Sequence, residues 1–160
     1  MNPLLQSLKL WIDPIPRSGP ENMAVDEWLL ETCDSAILRI YEWEDGWGSL
    51  GCFCRLNQAI ESNDSLRWVR RSTGGGVVEH QNDWTYTLVI PETENLGRVR
   101  SAQSYQQIHE LLTIDSIDRS KQFASRLSGR WESWEPEIPR DWIETKIREK
   151  FSNPAWTERR

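Results

Sequence analysis

Residues 67–83, Arg67-Trp68-Val69-Arg70-Arg71-Ser72-Thr73-Gly74-Gly75-Gly76-Val77-Val78-Glu79-His80-Gln81-Asn82-Asp83, hold the side chains best suited to handling an anion. Three consecutive glycines allow φ > 0 and let backbone N–H groups come close to a ligand. Arg67, Arg70 and Arg71 stand just upstream, with cationic forks that match carboxylate and phosphate. His80 follows at short range. Three readings fit the glycines: an ordinary turn between strands, a phosphate loop, or the wall of a groove for an elongated ligand. A Walker loop is excluded, because no Gly-Lys-Ser/Thr follows. A dinucleotide fingerprint is excluded too, because neither the Gly-x-Gly-x-x-Gly spacing nor a following helix is present.

The bulk composition narrows the classes. A chain of 160 residues with 28% charged and 38% apolar residues suits one soluble globular domain with a real core. Net charge is −6, which argues against general nucleic-acid affinity. Residues 1–80 hold seven Lys/Arg against twelve Asp/Glu, and three of those seven are Arg67, Arg70 and Arg71. A positive spot thus stands inside an acidic half. No apolar run approaches the length of a membrane span, and the first residues lack a signal-type stretch. A cytoplasmic protein is expected. The cysteines, Cys33, Cys52 and Cys54, are odd in number and form no CxxC, and only two histidines accompany them, so a zinc site is not expected. Cys52-Phe53-Cys54 in a strand would put both thiols on one face.

The elements that must position these residues follow from periodicity and punctuation. Strands are expected over Ser7–Asp13, Ala36–Trp43, Ser49–Cys54, Leu66–Ser72 and Trp84–Ile90, with Val77-Val78 resuming after the glycines. The β-branched and aromatic run at 84–90, stopped by Pro91, is the clearest of them. Glu44-Asp45-Gly46-Trp47-Gly48 reads as a turn of hairpin type. Helices are expected from a cap at Asn22 to about Thr32, from Ser101 through Tyr105, Ile108, Leu111 and Leu112, and from Pro139 to Phe151. A short strand is expected at Trp131–Glu135. The order makes an α/β domain, a mixed β-sheet flanked by helices. Arg70 and Arg71 are adjacent in a strand, so they point to opposite faces and at most one enters a pocket.

Arg70-Arg71-Ser72-Thr73-Gly74-Gly75-Gly76-Val77-Val78-Glu79-His80 resembles the Arg-Arg-x-x-Gly-Gly-Gly-x-Val-x-His signature of lipoate–protein ligases and octanoyl/lipoyl transferases. Other segments match in order. Asn22–Glu27 resembles the family's first helix, and Leu38–Tyr41 with Ser49–Phe53 its paired strands before the signature. Asp83–Leu88 resembles the strand after the signature, and Ser104–His109 the next helix. Arg130-Trp131-Glu132 and Asn153–Arg160 are similar to the close of a bacterial branch. The resemblance implies a biotin/lipoate ligase-type catalytic domain over residues 1–160. It implies lipoate or octanoate as the acid, with ATP and Mg2+ forming an acyl-adenylate. It implies transfer to a lysine of a lipoyl carrier domain, either a 2-oxoacid dehydrogenase E2 or the glycine cleavage H protein. Ligand contacts are expected from Arg70, favoured by motif position, and from Thr73, Gly74, Gly75, Gly76, Val77 and His80. The histidine could contact ligand, orient the loop or be structural. Gln81 stands where the family often has an acid, with Asp83 two places later.

The chain departs from the family downstream. The family's ligases carry a key lysine in a Gly-Arg-Lys-Ile-Ala-Gly-like stretch. Here the four lysines, Lys9, Lys121, Lys146 and Lys150, lack those neighbours. Lys146 and Lys150 are expected on the exposed face of the last helix. The segment that would hold the family lysine is missing, with an internal deletion near 112–123, and no catalytic residue can be named. Three readings follow: an enzyme, with Lys121 one candidate substitute; a non-catalytic acyl- or nucleotide-binding module; or an internally deleted product. Loss of central strands would expose edges and apolar faces. The expected remedy is a rearranged core around residues 109–130 or self-association.

Overall fold

The computed structural model describes residues 3–112 and 118–159. In chain order the elements are β1 (Leu8–Ile12), α1 (Gly19–Thr32), β2 (Ala36–Tyr41), β3 (Trp47–Leu50), α2 (Leu56–Ser62), β4 (Arg67–Arg70), β5 (Val77–His80), β6 (Thr85–Val89), α3 (Asn95–Arg98), α4 (Ser101–Glu110), α5 (Arg119–Leu127), β7 (Trp131–Ser133), α6 (Arg140–Lys146), a π-helical turn (Ile147–Phe151) and α7 (Pro154–Thr157). They group into two compact units. One comprises Met1–Asp13, Leu29–Ile40 and Thr85–Pro136, the other Pro14–Trp28, Tyr41–Trp84 and Glu137–Arg160.

The first unit is built on a four-stranded sheet in the order β6-β2-β1-β7. The central β1 runs parallel to both β2 and β7, with Leu8 opposite Ala36 on one side and Trp131 on the other. Every residue of β2 is buried, including Arg39. That guanidinium reaches the equally buried Asp13 at 2.7 Å and lies over the Trp11 ring at 5.1 Å. Helix α5 packs on β1 and buries Phe123, Ala124 and Leu127. Phe123 meets the Tyr86 ring edge-on, with centroids 5.2 Å apart. In α4, Ile108 is buried, but Tyr105, expected on the same inner face, is 68% exposed. Residues 113–117, where part of the expected deletion falls, lie outside the described residues.

The second unit holds a three-stranded sheet in the order β4-β3-β5. It is mixed: β3 is parallel to β4 and antiparallel to β5. Strands β2 and β3, expected to pair as a hairpin, instead belong to different sheets, although Gly46 does make a turn at φ +83°. Helix α1 begins at Gly19 rather than after Asn22. Ser18 Oγ accepts the Glu21 amide at 3.3 Å, while Asn22 is buried within the helix and its Nδ2 donates to the carbonyls of Arg17 and Glu42. The Cys52-Phe53-Cys54 run is a turn after β3, not strand. Cys52 is buried there, and Phe53 is 85% exposed. Among the described residues, no helix is long and apolar enough to cross a membrane.

Candidate anion-binding site at the glycine loop

The site is assembled on β3, which lies between the two strands that flank the glycines. Ser49 is opposite Val69 of β4 and Val78 of β5. Arg71 and His80 come two residues after those partners, so strand alternation puts Ser49, Arg71 and His80 on one face. Arg70, opposite Leu50, is left on the other.

Between the strands the loop turns its carbonyls inward. The Thr73 carbonyl accepts from Cys52 N (2.8 Å) and that of Gly76 from Gly51 N (3.1 Å). Arg71 Nη2 donates to the carbonyls of Gly74 and Gly76 at 3.0 and 2.9 Å, and the Cys54 thiol to that of Gly75 at 3.2 Å. The amides of Gly74, Gly75 and Gly76 make no hydrogen bond among the described residues, and all three glycines are exposed. Exposed successive amides without a hydrogen bond, next to a guanidinium, are the donors that an anion-binding loop needs. Gly75 takes φ +99°, a conformation that L side chains rarely adopt. Gly51 underlies the loop: a Cβ there would lie 2.1 Å from the Gly75 carbonyl oxygen.

The two arginines therefore do different work. Arg71 holds the loop and also donates from Nη1 to Ser49 Oγ at 2.7 Å. Arg70 is fully buried, and its forks end on backbone. Nη1 donates to the carbonyls of Gly51, Cys52 and Cys54, Nε to that of Trp156, and Nη2 to those of Thr157 and Arg159. Trp156 Nε1 donates back to the Arg70 carbonyl at 3.0 Å. The geometry thus gives Arg70 the docking of the closing segment in place of the anion contact expected of it. Asn153 makes that docking possible, because its Oδ1 caps α7 by accepting Ala155 N, with Pro154 in the first turn.

His80 is buried, with its ring stacked on Trp43 at a centroid distance of 3.8 Å. Nε2 lies 2.8 Å from Ser49 Oγ, and Nδ1 lies 2.7 Å from Asp83 Oδ2. Asn82, at φ 55°, makes the reversal that returns Asp83 beneath the imidazole. Burial pushes the His80 pKa down, Asp83 opposes this, and Arg71 adds to it; the net shift is downward, so the neutral ring is favoured. Asp83 thus supplies the carboxylate that Gln81 cannot.

The remaining expected contacts are distributed around the loop. Thr73 is exposed, Val77 half-buried and Val78 exposed. Arg67 lies outside the site, stacked over Trp47 at 4.4 Å. Lys146 and Lys150, expected to point to solvent, both converge on Glu27 of α1. Lys150 also donates to Ser72 Oγ at 3.1 Å, at the start of the loop, and packs 4.5 Å over Trp156. Lys121 is on α5 in the other unit, exposed and 3.7 Å from Asp118. Sequence reasoning did not single out Ser49, Glu27 or Trp43. Pattern alone could reach only Ser49, from its register opposite the flanking strands.

The chain and its fold have counterparts among known proteins. No family model matches the chain. An octanoyltransferase LipM of Staphylococcus epidermidis is 35% identical over 124 residues, 66% of this chain and 45% of its own length. That of Carboxydothermus hydrogenoformans is 36% identical over 87 residues, 49% of this chain and 32% of its own length. Ta0514 of T. acidophilum, a candidate lipoate protein ligase, superposes with a TM-score of 0.62 at 16% identity over 99% of each chain. Lipoate-protein ligase A bound with ATP superposes with a TM-score of 0.53 at 14% identity over 99% of each chain. Over these segments the chain is similar to octanoyltransferases, and its fold is that of lipoate–protein ligases. It spans less than half the length of the curated relatives it matches. Ta0514 has also been solved with bound lipoic acid, at a TM-score of 0.59, 16% identity and coverage of 99% of this chain and 100% of its own. A bi-partite lipoate protein ligase is known with its E2 lipoyl domain from the same archaeon, with a TM-score of 0.54 at 16% identity over 96% of each chain.

Proposed function

We propose that the chain takes part in attaching lipoyl or octanoyl groups to the lysine of a lipoyl carrier domain, with the glycine loop holding the phosphate of an acyl-adenylate. The observation that carries this reading is the set of exposed amides without a hydrogen bond at Gly74, Gly75 and Gly76, in a loop whose Gly74 and Gly76 carbonyls Arg71 holds. An acyl-adenylate is a mixed anhydride. It forms when the carboxylate oxygen of the acid attacks the α-phosphorus of ATP and expels pyrophosphate. The carrier amine then attacks the acyl carbon and expels AMP. Both steps pass charge through phosphate oxygens, which N–H donors and a guanidinium stabilise. Val77 and Val78 would line the start of the aliphatic tail, and Thr73 would stand at the loop edge. The carrier is an E2 lipoyl domain or the glycine cleavage H protein, and the compartment is the cytoplasm. The residues fit the nucleotide better than they fit a metal. Glu27, a carboxylate next to the loop, is engaged by Lys146 and Lys150, and no cluster of metal-ligating side chains exists among the described residues. Mg2+ would therefore arrive on the phosphates of ATP and leave with pyrophosphate.

The deciding experiment is ATP–pyrophosphate exchange with lipoate and with octanoate, alongside direct binding of each acid. Acid-dependent exchange is the expected result. Binding without exchange would leave an acyl-binding module without activation chemistry. Absence of both would end the reading.

A further inference from the structure

Ser49, His80 and Asp83 are bonded in series with Arg71, and the acyl chemistry proposed above makes no use of them. The order Ser-His-Asp is that of a hydrolase triad. Ser49, however, is wholly buried, and its oxygen already accepts from Arg71, so it has no face to offer a substrate. The series has a defined direction instead. A carboxylate only accepts, so the hydrogen between His80 and Asp83 belongs to Nδ1. In the neutral ring Nε2 is then a bare acceptor, and the Ser49 hydroxyl hydrogen fills it. The Ser49 oxygen keeps its lone pairs for Arg71 Nη1. Every hydrogen points from the loop toward Asp83.

Protonation of His80 reverses the middle bond. Nε2 becomes a donor, Ser49 must accept from both sides, and its own hydrogen is stranded in a buried place. Two cations, His80 and Arg71, then share one hydroxyl. The charged groups that act on the imidazole are Asp83, which favours the cation, and Arg71, which opposes it; Trp43 covers the ring without charge.

We propose that Asp83, His80 and Ser49 are positioning residues: a one-way hydrogen-bond relay that clamps Arg71 onto the carbonyls of Gly74 and Gly76, keeping the loop amides exposed while His80 is neutral. The relay concerns the shape of the loop and holds whatever anion the loop takes. It gives anion binding a pH dependence opposite in sign to simple charge attraction. An added cation beside an anionic ligand would tighten binding on acidification, whereas loss of the clamp weakens it.

The test has two readouts on the full chain. The sequence has two histidines, so His109→Gln leaves His80 as the single imidazole for nitrogen-15 NMR. At about pH 8, well above an ordinary histidine pKa, the expected form is the Nδ1–H tautomer, with slow solvent exchange of the Arg71 guanidinium. Protection of these protons, taken relative to free arginine at the same pH, should be lost in step with His80 protonation, and Ser49→Ala should abolish it at every pH. An Nε2–H tautomer, or Arg71 protection indifferent to the titration, would overturn the relay. The second readout is binding of an octanoyl-sulfamoyl adenosine, whose charge is constant between about pH 5 and about pH 8, the range over which histidine titrates. Affinity should fall about tenfold across that range on acidification, the worth of one charge-assisted hydrogen bond. His80→Gln, which can accept from Ser49 and donate to Asp83 but cannot ionise, should bind with a flat profile. Affinity that rises or stays level in the parent chain, or a slope that persists in His80→Gln, would overturn the proposal. Failure of the analogue to bind at any pH would count against the acyl-adenylate reading, and the NMR result would still decide the relay.

Discussion

Replacing Arg70 by Met keeps much of the side-chain volume and removes the guanidinium, so it measures what that group does. Six carbonyls lose a donor. Those of Trp156, Thr157 and Arg159, on the closing segment, can swing into water if the segment lifts. Those of Gly51, Cys52 and Cys54 sit in the turn beneath the loop, where Gly51 and Cys52 are buried, and stay poorly hydrated. The Gly51 carbonyl keeps the Cys54 amide as a donor at 3.0 Å, so two orphaned acceptors at about 1 to 1.5 kcal/mol each give a loss of roughly 2 to 3 kcal/mol. Arg70→Lys restores the charge but offers three donors to six acceptors, so it should lose about half as much. Urea unfolding reads the stability directly. Tryptophan fluorescence suits the local effect poorly, because the chain has ten tryptophans. Hydrogen exchange of residues 153–159 isolates it and should show rapid exchange in both variants. An Arg70→Met chain within about 0.5 kcal/mol of the parent, the range of an ordinary surface substitution, would refute the structural role. Loss of acyl-adenylate analogue binding by Arg70→Lys with stability and exchange unchanged would return Arg70 to the ligand site.

Other substitutions probe the loop from different sides. Gly51→Ala would place a methyl against the Gly75 carbonyl and should lift the loop, costing about 1 to 3 kcal/mol in urea unfolding together with anion binding. Asn82→Gly should be tolerated, while Asn82→Val should strain the reversal by about 1 to 2 kcal/mol and separate Asp83 from His80, visible as a further fall in the His80 pKa by NMR. The pH dependence of stability has a definite sign. The folded-state His80 pKa lies below its ordinary 6.5, so the unfolded chain binds the proton more tightly. The stabilisation from the neutral ring is complete above that value and declines as pH falls from it toward the folded-state pKa. Urea midpoints measured on either side of that value should show this decline, and His80→Gln should remove it. Glu27→Gln should leave Lys146 and Lys150 without a shared anion and destabilise the π-helical turn by about 1 kcal/mol, detectable as faster exchange at 147–151.

Period-two alternation placed Arg70 and Arg71 on opposite faces, and the structure agrees. Which of them serves the loop was not legible, because that depends on what packs against each face. Half of the carbonyls that surround Arg70 come from residues 86 to 89 positions further along. The β6 run at 85–89 was plain from its β-branched residues, while β3 ended earlier than its apolar pattern suggested. There Arg70 draws the Gly51, Cys52 and Cys54 carbonyls into a turn. Helix α5 carried a readable signal in Phe123, Ala124 and Leu127, but the polar stretch before it masked the periodicity. Helix α2 buries only Ala59 and offered almost none. The link from His80 to Asp83 needed the left-handed Asn82, a conformation that sequence permits without demanding.

The six-carbonyl cage around Arg70 also sets an order of events. Half of the cage is local, 16 to 19 residues back, and half must come from the far end of the chain. Until that end arrives, β4 carries a guanidinium that burial would penalise, so its sheet cannot close fully on the first collapse. Distant contacts of this kind slow folding, because loop-closure entropy is lost before they form. Folding of this unit should therefore be gated by the return of residues 156–159, and refolding should slow when that segment is weakened, even where the glycine loop is untouched.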